Sequence, residues 1–180
     1  PLPETAEFMI DAKEKQKEKK GKSAKLQKSQ NELIEFWGLL KNRVKIKSDD
    51  FLANVTPRPT YYMGFFKGQG FFAYCIGRRA FRVELYFRSD LDKTYFDNIY
   101  NYKEEIESKL KGVVWERRDG KTASRIKIDM TIEEKSQRIG KWSDQSSWEY
   151  DIEWFVSKMN EFYKVVFPIW EKVQSEIKGY

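Results

Sequence analysis

Phe81-Arg82-Val83-Glu84-Leu85-Tyr86-Phe87-Arg88 alternates apolar and polar residues almost without a break. Side chains of an extended chain point to opposite faces in turn, so Phe81, Val83, Leu85 and Phe87 share one face. Arg82, Glu84, Tyr86 and Arg88 share the other. Two strand-like runs precede it, Tyr61–Phe66 and Phe71–Gly77, separated by the glycine-bearing turn Lys67-Gly68-Gln69-Gly70. Gly77-Arg78-Arg79-Ala80 then joins the second run to the third. A parallel crossover needs about a dozen residues, so these short connections predict a three-stranded antiparallel meander.

Outward from the meander the period becomes helical. Leu33, Phe36, Trp37, Leu40 and Val44 form an apolar stripe that predicts a helix over about 28–47. After the meander, Ser89 and Asp90 open a second helix over about 91–111, with Tyr95, Phe96, Ile99, Tyr102, Ile106 and Leu110 as its stripe and Gly112 as its stop. Val113–Arg118 and Thr122–Met130 then read as a hairpin about Asp119-Gly120. Residues 131–146 are polar and without period. A last helix over about 147–176 carries many aromatic residues, and Pro168 is expected to kink or split it. The resulting order is α-β-β-β-α-β-β-α. It predicts an α+β domain whose five-stranded, mostly antiparallel sheet is covered by amphipathic helices.

Composition excludes several chemistries. The 180 residues include one cysteine and no histidine, which leaves no disulfide framework, no histidine base and no ordinary zinc ligand set. No cofactor or metal is expected. No apolar run approaches the roughly 18 residues of a membrane span, so no membrane partner is expected and the cytoplasm is the expected compartment.

The formal net charge is +6, unevenly spread. Residues 11–28 hold eight lysines against Asp11, Glu14 and Glu18, whereas residues 29–180 carry only +3. The first 28 residues are therefore read as a basic linker or leader, and residues 29–180 as a single domain. The Pro-Leu-Pro start, without methionine, leads us to expect a piece of a longer polypeptide.

Several strings resemble a prokaryotic family of unknown function. They are Arg82-Val83-Glu84-Leu85-Tyr86, Lys103-Glu104-Glu105-Ile106-Glu107, Trp115-Glu116-Arg117 and Ala123-Ser124-Arg125-Ile126, with the helix segment Trp154–Lys164. The resemblance covers most of residues 30–170. It implies a domain that often follows a restriction-nuclease-like domain, and hence an accessory role in DNA processing or phage defence. It supplies no catalytic residues.

The polar strand faces supply the candidate binding residues. Arg82, Glu84, Tyr86 and Arg88 fall together, as do Glu116 and Arg118 on one later strand and Arg125, Lys127 and Asp129 on the other. If these faces coincide, they form either a salt-bridge ladder or a phosphate-binding surface, since guanidinium forks match phosphate oxygens. Glu84, Glu116, Asp129 and Lys127 are the only strand-borne set resembling a nuclease metal site, but the acidic-x-Lys step is missing from every predicted strand. Lys67–Tyr74 superficially resembles the aromatic strand of RNA-recognition domains. Gln69 and Phe72 depart from that pattern, and the strand–helix prelude is absent. A stacking platform on Tyr61, Tyr62, Phe65 or Phe71 stays open.

The leading expectation is a non-catalytic accessory domain contacting nucleic acid or an N-terminal nuclease domain of the same longer protein. The alternatives are a protein-interaction or dimerisation module using the 147–176 helix, and a divergent metal-dependent nuclease using Glu84 and Glu116.

Overall fold

The computed structural model describes residues 4–78 and 80–179, with side chains from Gly21 onward. Residues 1–3, the lysine side chains before Gly21 and Arg79 of the expected Arg78-Arg79 pair lie outside the described residues. The elements are α1 (Glu4–Lys47), β1 (Tyr62–Lys67), β2 (Gly70–Ile76), β3 (Phe81–Phe87), α2 (Thr94–Tyr100), α3 (Lys103–Lys109), β4 (Val113–Glu116), β5 (Ser124–Asp129), α4 (Ile132–Ser136) and α5 (Trp148–Lys178). The α+β class is as expected, with one wholly antiparallel sheet in the order β1-β2-β3-β5-β4. Strand β5 inserts between β3 and β4, so the two strand groups share one surface.

The apolar face of β3 explains where the helices sit. Phe81, Val83, Leu85 and Phe87 are buried beneath α5 and α1. The Phe81 ring lies 5.2 Å from Phe155 and the Phe87 ring 5.0 Å from Trp170, while Phe36 of α1 reaches Phe155 at 6.1 Å. Each fully buried ring contributes roughly 1.5–3 kcal/mol by leaving water. Trp170 also donates from Nε1 to the Lys67 carbonyl at 2.8 Å, pinning the β1–β2 turn to α5. That turn, Gly68-Gln69, needs the left-handed backbone that Gly68 adopts (φ 61°).

Several boundaries differ from expectation. Helix α1 starts at Glu4 rather than near residue 28, because lysine, glutamate, glutamine and alanine are good helix formers without an apolar stripe. Residues 21–28 of it are exposed. The expected 91–111 helix is two helices, broken at Asn101-Tyr102. At its start Asp90 does act as a cap: the buried carboxylate accepts the amides of Tyr95 and Phe96, both at 3.0 Å.

The polar 131–147 segment is not formless. Thr131 and Glu134 make a reciprocal capping box that starts α4. Glu134 also accepts from Trp154 Nε1 at 2.6 Å. Arg138 then clamps Asp151 with two hydrogen bonds, at 2.6 and 3.0 Å. Trp148 donates to the Trp142 carbonyl at 2.8 Å, so the two tryptophans tie the segment to the start of α5. Pro168 does not split α5, because burial of Val166, Ile169, Trp170 and Val173 on both sides holds the helix to the sheet.

Candidate functional site

Strand pairing decides which side chains meet on the face away from the helices. Three rows cross it in register. Tyr62, Cys75, Arg82 and Asp129 form the first; Gly64, Ala73, Glu84, Lys127 and Val114 the second; Phe66, Phe71, Tyr86, Arg125 and Glu116 the third. This face opens onto a concavity of about 1460 Å³ that continues past the β1 edge toward residues 49–60.

Six of the eight expected binding residues, Arg82, Glu84, Tyr86, Glu116, Arg125 and Lys127, therefore share this face. Arg88 lies just beyond the end of β3, exposed, and lines the same concavity. Arg118 is a correction, since it does not align with Glu116 on a strand. Strand β4 ends at Glu116, and Arg117 turns away to pair with Asp97 at 2.9 and 3.0 Å. Arg118 takes a left-handed backbone (φ 57°) in the 117–123 connection, and its side chain still lines the concavity.

The charges divide into two groups. An inner ladder is fully paired: Arg82 Nε meets Glu84 at 3.1 Å, and Arg125 bridges Glu84 at 3.5 Å and Glu116 at 3.2 Å. Lys127 bridges Glu116 and Asp129, both at 3.0 Å. Three cations balance three carboxylates, so the ladder has no net charge. The Glu84 side chain is only 7% exposed. It accepts the Cys75 thiol at 3.1 Å, and burial together with that carboxylate pushes the thiol pKa well up. Cys75 is thus an unreactive thiol. Burial alone would raise the Glu116 carboxyl, but hydrogen bonds from Lys127 and Arg125 outweigh it and hold the group below the usual range.

The outer group is different. Arg88 and Arg118 make no ion pair among the described residues, and both line the concavity, as do Arg58 and Lys67, which are likewise without one. The third row is aromatic on three adjacent strands. Phe66 is 63% exposed and packs on Phe71 at 4.7 Å, with Tyr86 next along the row. Tyr62 is 53% exposed and meets Phe71 edge-on at 6.1 Å.

Of the rings expected to stack, Tyr62 and Phe71 are on this face. Phe65 is not: it points into the core, stacked between Phe51 at 4.8 Å and Phe72 at 5.6 Å. Tyr61 lies on the helix side beside Trp142. Phe66 was missed, although a two-residue turn at Gly68-Gln69 sets Lys67 opposite Gly70 and hence Phe66 opposite Phe71.

The nuclease and helix-interface alternatives meet geometric obstacles. Among the described residues no three potential metal-ligating side chains converge, and Glu84, Glu116 and Asp129 each face a cation instead. The aromatic stripe of α5 is consumed by the core, and none of the helix's large apolar side chains is exposed. No helix among the described residues is long and apolar enough to cross a membrane.

A family model described as a domain of unknown function, DUF4268, matches residues 34–169. The chain belongs to this family. The DUF4268 match begins in α1, takes in the whole sheet and ends in α5, so every residue of the sheet face lies within it. The basic first half of α1 falls outside the DUF4268 span. No curated protein and no solved structure matches the chain significantly.

Proposed function

We propose that this chain is a non-catalytic accessory domain of a larger prokaryotic DNA-processing or phage-defence protein, and that it contacts nucleic acid through the open sheet face. The observation that carries the reading is the pair Arg88 and Arg118. Both are without a carboxylate partner among the described residues, and both line a concavity floored by aromatic rings. A free guanidinium offers two parallel donors to a phosphate. The arginines of the ladder are already held by carboxylates, Arg82 by Glu84 and Arg125 by Glu84 and Glu116, although Arg125 Nε is buried without a hydrogen bond.

The test is fluorescence anisotropy with labelled single-stranded and duplex oligonucleotides, using the whole chain. Binding should weaken as salt rises, and an Arg88→Glu/Arg118→Glu double substitution should abolish it. Unchanged binding in that variant, with loss after replacing the lysines of residues 13–28 by glutamine, moves the contact to the basic helix and refutes the reading.

A further inference from the structure

The arrangement of rings goes further and, resting on the nucleic-acid reading above, narrows its ligand. We propose that the third row is a stacking platform for unpaired bases, so that the site takes single-stranded nucleic acid in preference to duplex. Phe66, Phe71 and Tyr86 sit on β1, β2 and β3 in register. Strands are spaced about 4.8 Å apart, so the three rings span roughly 10 Å, enough for two stacked or splayed bases.

A duplex cannot use these rings. Its base faces are covered by their neighbours in the stack, and its outer surface offers phosphates and groove edges. To a duplex, this face would present a charge-neutral ladder with Arg88 and Arg118 at one end and Arg58 and Lys67 elsewhere in the concavity, few cations against two phosphate backbones. An unpaired strand uses both features at once. Its bases lie on Phe66, Phe71 and Tyr86 while its phosphates meet Arg88 and Arg118.

The ring exposures support the same ligand. Phe66 lies on an edge strand and stays mostly exposed, with Phe71 packed beside it. Nothing in the fold requires an aromatic residue there, since the core is complete beneath Phe65 and Phe72. The chemistry shared by DNA and RNA is the flat base and the bridging phosphate. The row itself does not favour either sugar.

The experiment compares a twelve-nucleotide oligo-dT, a twelve-nucleotide oligo-U and a mixed-sequence duplex of the same length, by anisotropy at several salt concentrations. The single strands should bind more tightly than the duplex. Phe66→Ala, at an exposed position, should weaken them roughly 5- to 100-fold, the range of losing one base–ring stack. The slope of log K against log salt should be shallow, about −0.7 for each phosphate neutralised, and should fall by about that amount in Arg88→Ala. A difference between the dT and U arms that persists when oligo-dU replaces oligo-dT assigns the sugar preference, because thymine also carries a methyl group that uracil lacks. Duplex binding as tight as single-strand binding, indifferent to Phe66→Ala but lost in the Arg88→Glu/Arg118→Glu variant, overturns the single-strand inference and leaves the sheet-face reading standing. Failure of every oligonucleotide to bind overturns both.

Discussion

Removing Glu84 should show how much of the sheet face is built for stability. The side chain is 7% exposed and is shared by Arg82 at 3.1 Å and Arg125 at 3.5 Å. Glu84→Ala leaves Arg82 without its ion-pair partner and Arg125 with Glu116 alone. Breaking one side of a fully buried pair costs about 3–5 kcal/mol. The two arginine side chains are 23% and 20% exposed, so water recovers part of that loss and about 2–3 kcal/mol remains. With a urea dependence of roughly 2–3 kcal/mol/M, the unfolding midpoint should fall by about 1 M, readable from tryptophan fluorescence. The companion variant Arg82→Met/Glu84→Leu removes one charge of each sign, keeps the volume and leaves Arg125 paired with Glu116. It should lie within about 1 kcal/mol of the parent, because every remaining charge of the ladder keeps a partner. A midpoint shift below about 0.3 M for Glu84→Ala, or a double variant as unstable as the single one, would refute the reasoning.

Three more outcomes follow from the same geometry. Cys75, whose thiol is held protonated by burial and by Glu84, should react with a disulfide reagent only on unfolding; rapid labelling of native protein at neutral pH contradicts this. Glu116 has a folded-state pKa below its ordinary value, so its stabilisation is present above the usual glutamate range and is lost as pH falls through the folded value. Glu116→Gln should therefore flatten part of the acid limb of an unfolding-midpoint profile, with its largest cost at neutral pH. Trp170→Phe removes the bond to the Lys67 carbonyl and should cost about 1–2 kcal/mol in urea unfolding; no change means the turn is not pinned by that bond.

How far the fold is legible in the sequence depends on whether the deciding interaction is local. The alternation of residues 81–88 reports two environments on one strand, and both are present. The stripe Leu33–Val44 likewise marks a buried helix face. Apolar periodicity says nothing of the polar first half of α1, which propensity alone keeps helical. Asp119-Gly120 signals a tight hairpin, but Arg117 is drawn away by Asp97, a partner twenty residues earlier that no local rule sees. Phe65 and Phe66 were confused because β2 reads as a nearly continuous apolar run, Phe71-Phe72-Ala73-Tyr74-Cys75-Ile76, whose two faces look alike in sequence. Thr131-x-x-Glu134 was a readable capping box in a segment that lacked any period.

The division between paired and free arginines also determines what a mutation can reveal about binding. If a phosphate drew Arg125 to itself, Glu84 and Glu116 would each lose a partner in a setting where neither is well hydrated. Glu84 would keep only Arg82 and Glu116 only Lys127, so two charge-assisted contacts would be lost for the one gained. Arg88 and Arg118 carry no such penalty, because no carboxylate among the described residues depends on them. A nucleic acid on this face should therefore leave the ladder intact. Substituting Arg82 or Arg125 then perturbs folding first and binding second, whereas Arg88 and Arg118 report on binding with the fold undisturbed. A ligand that loses affinity on Arg125→Ala in a variant of unchanged urea midpoint would contradict that ordering.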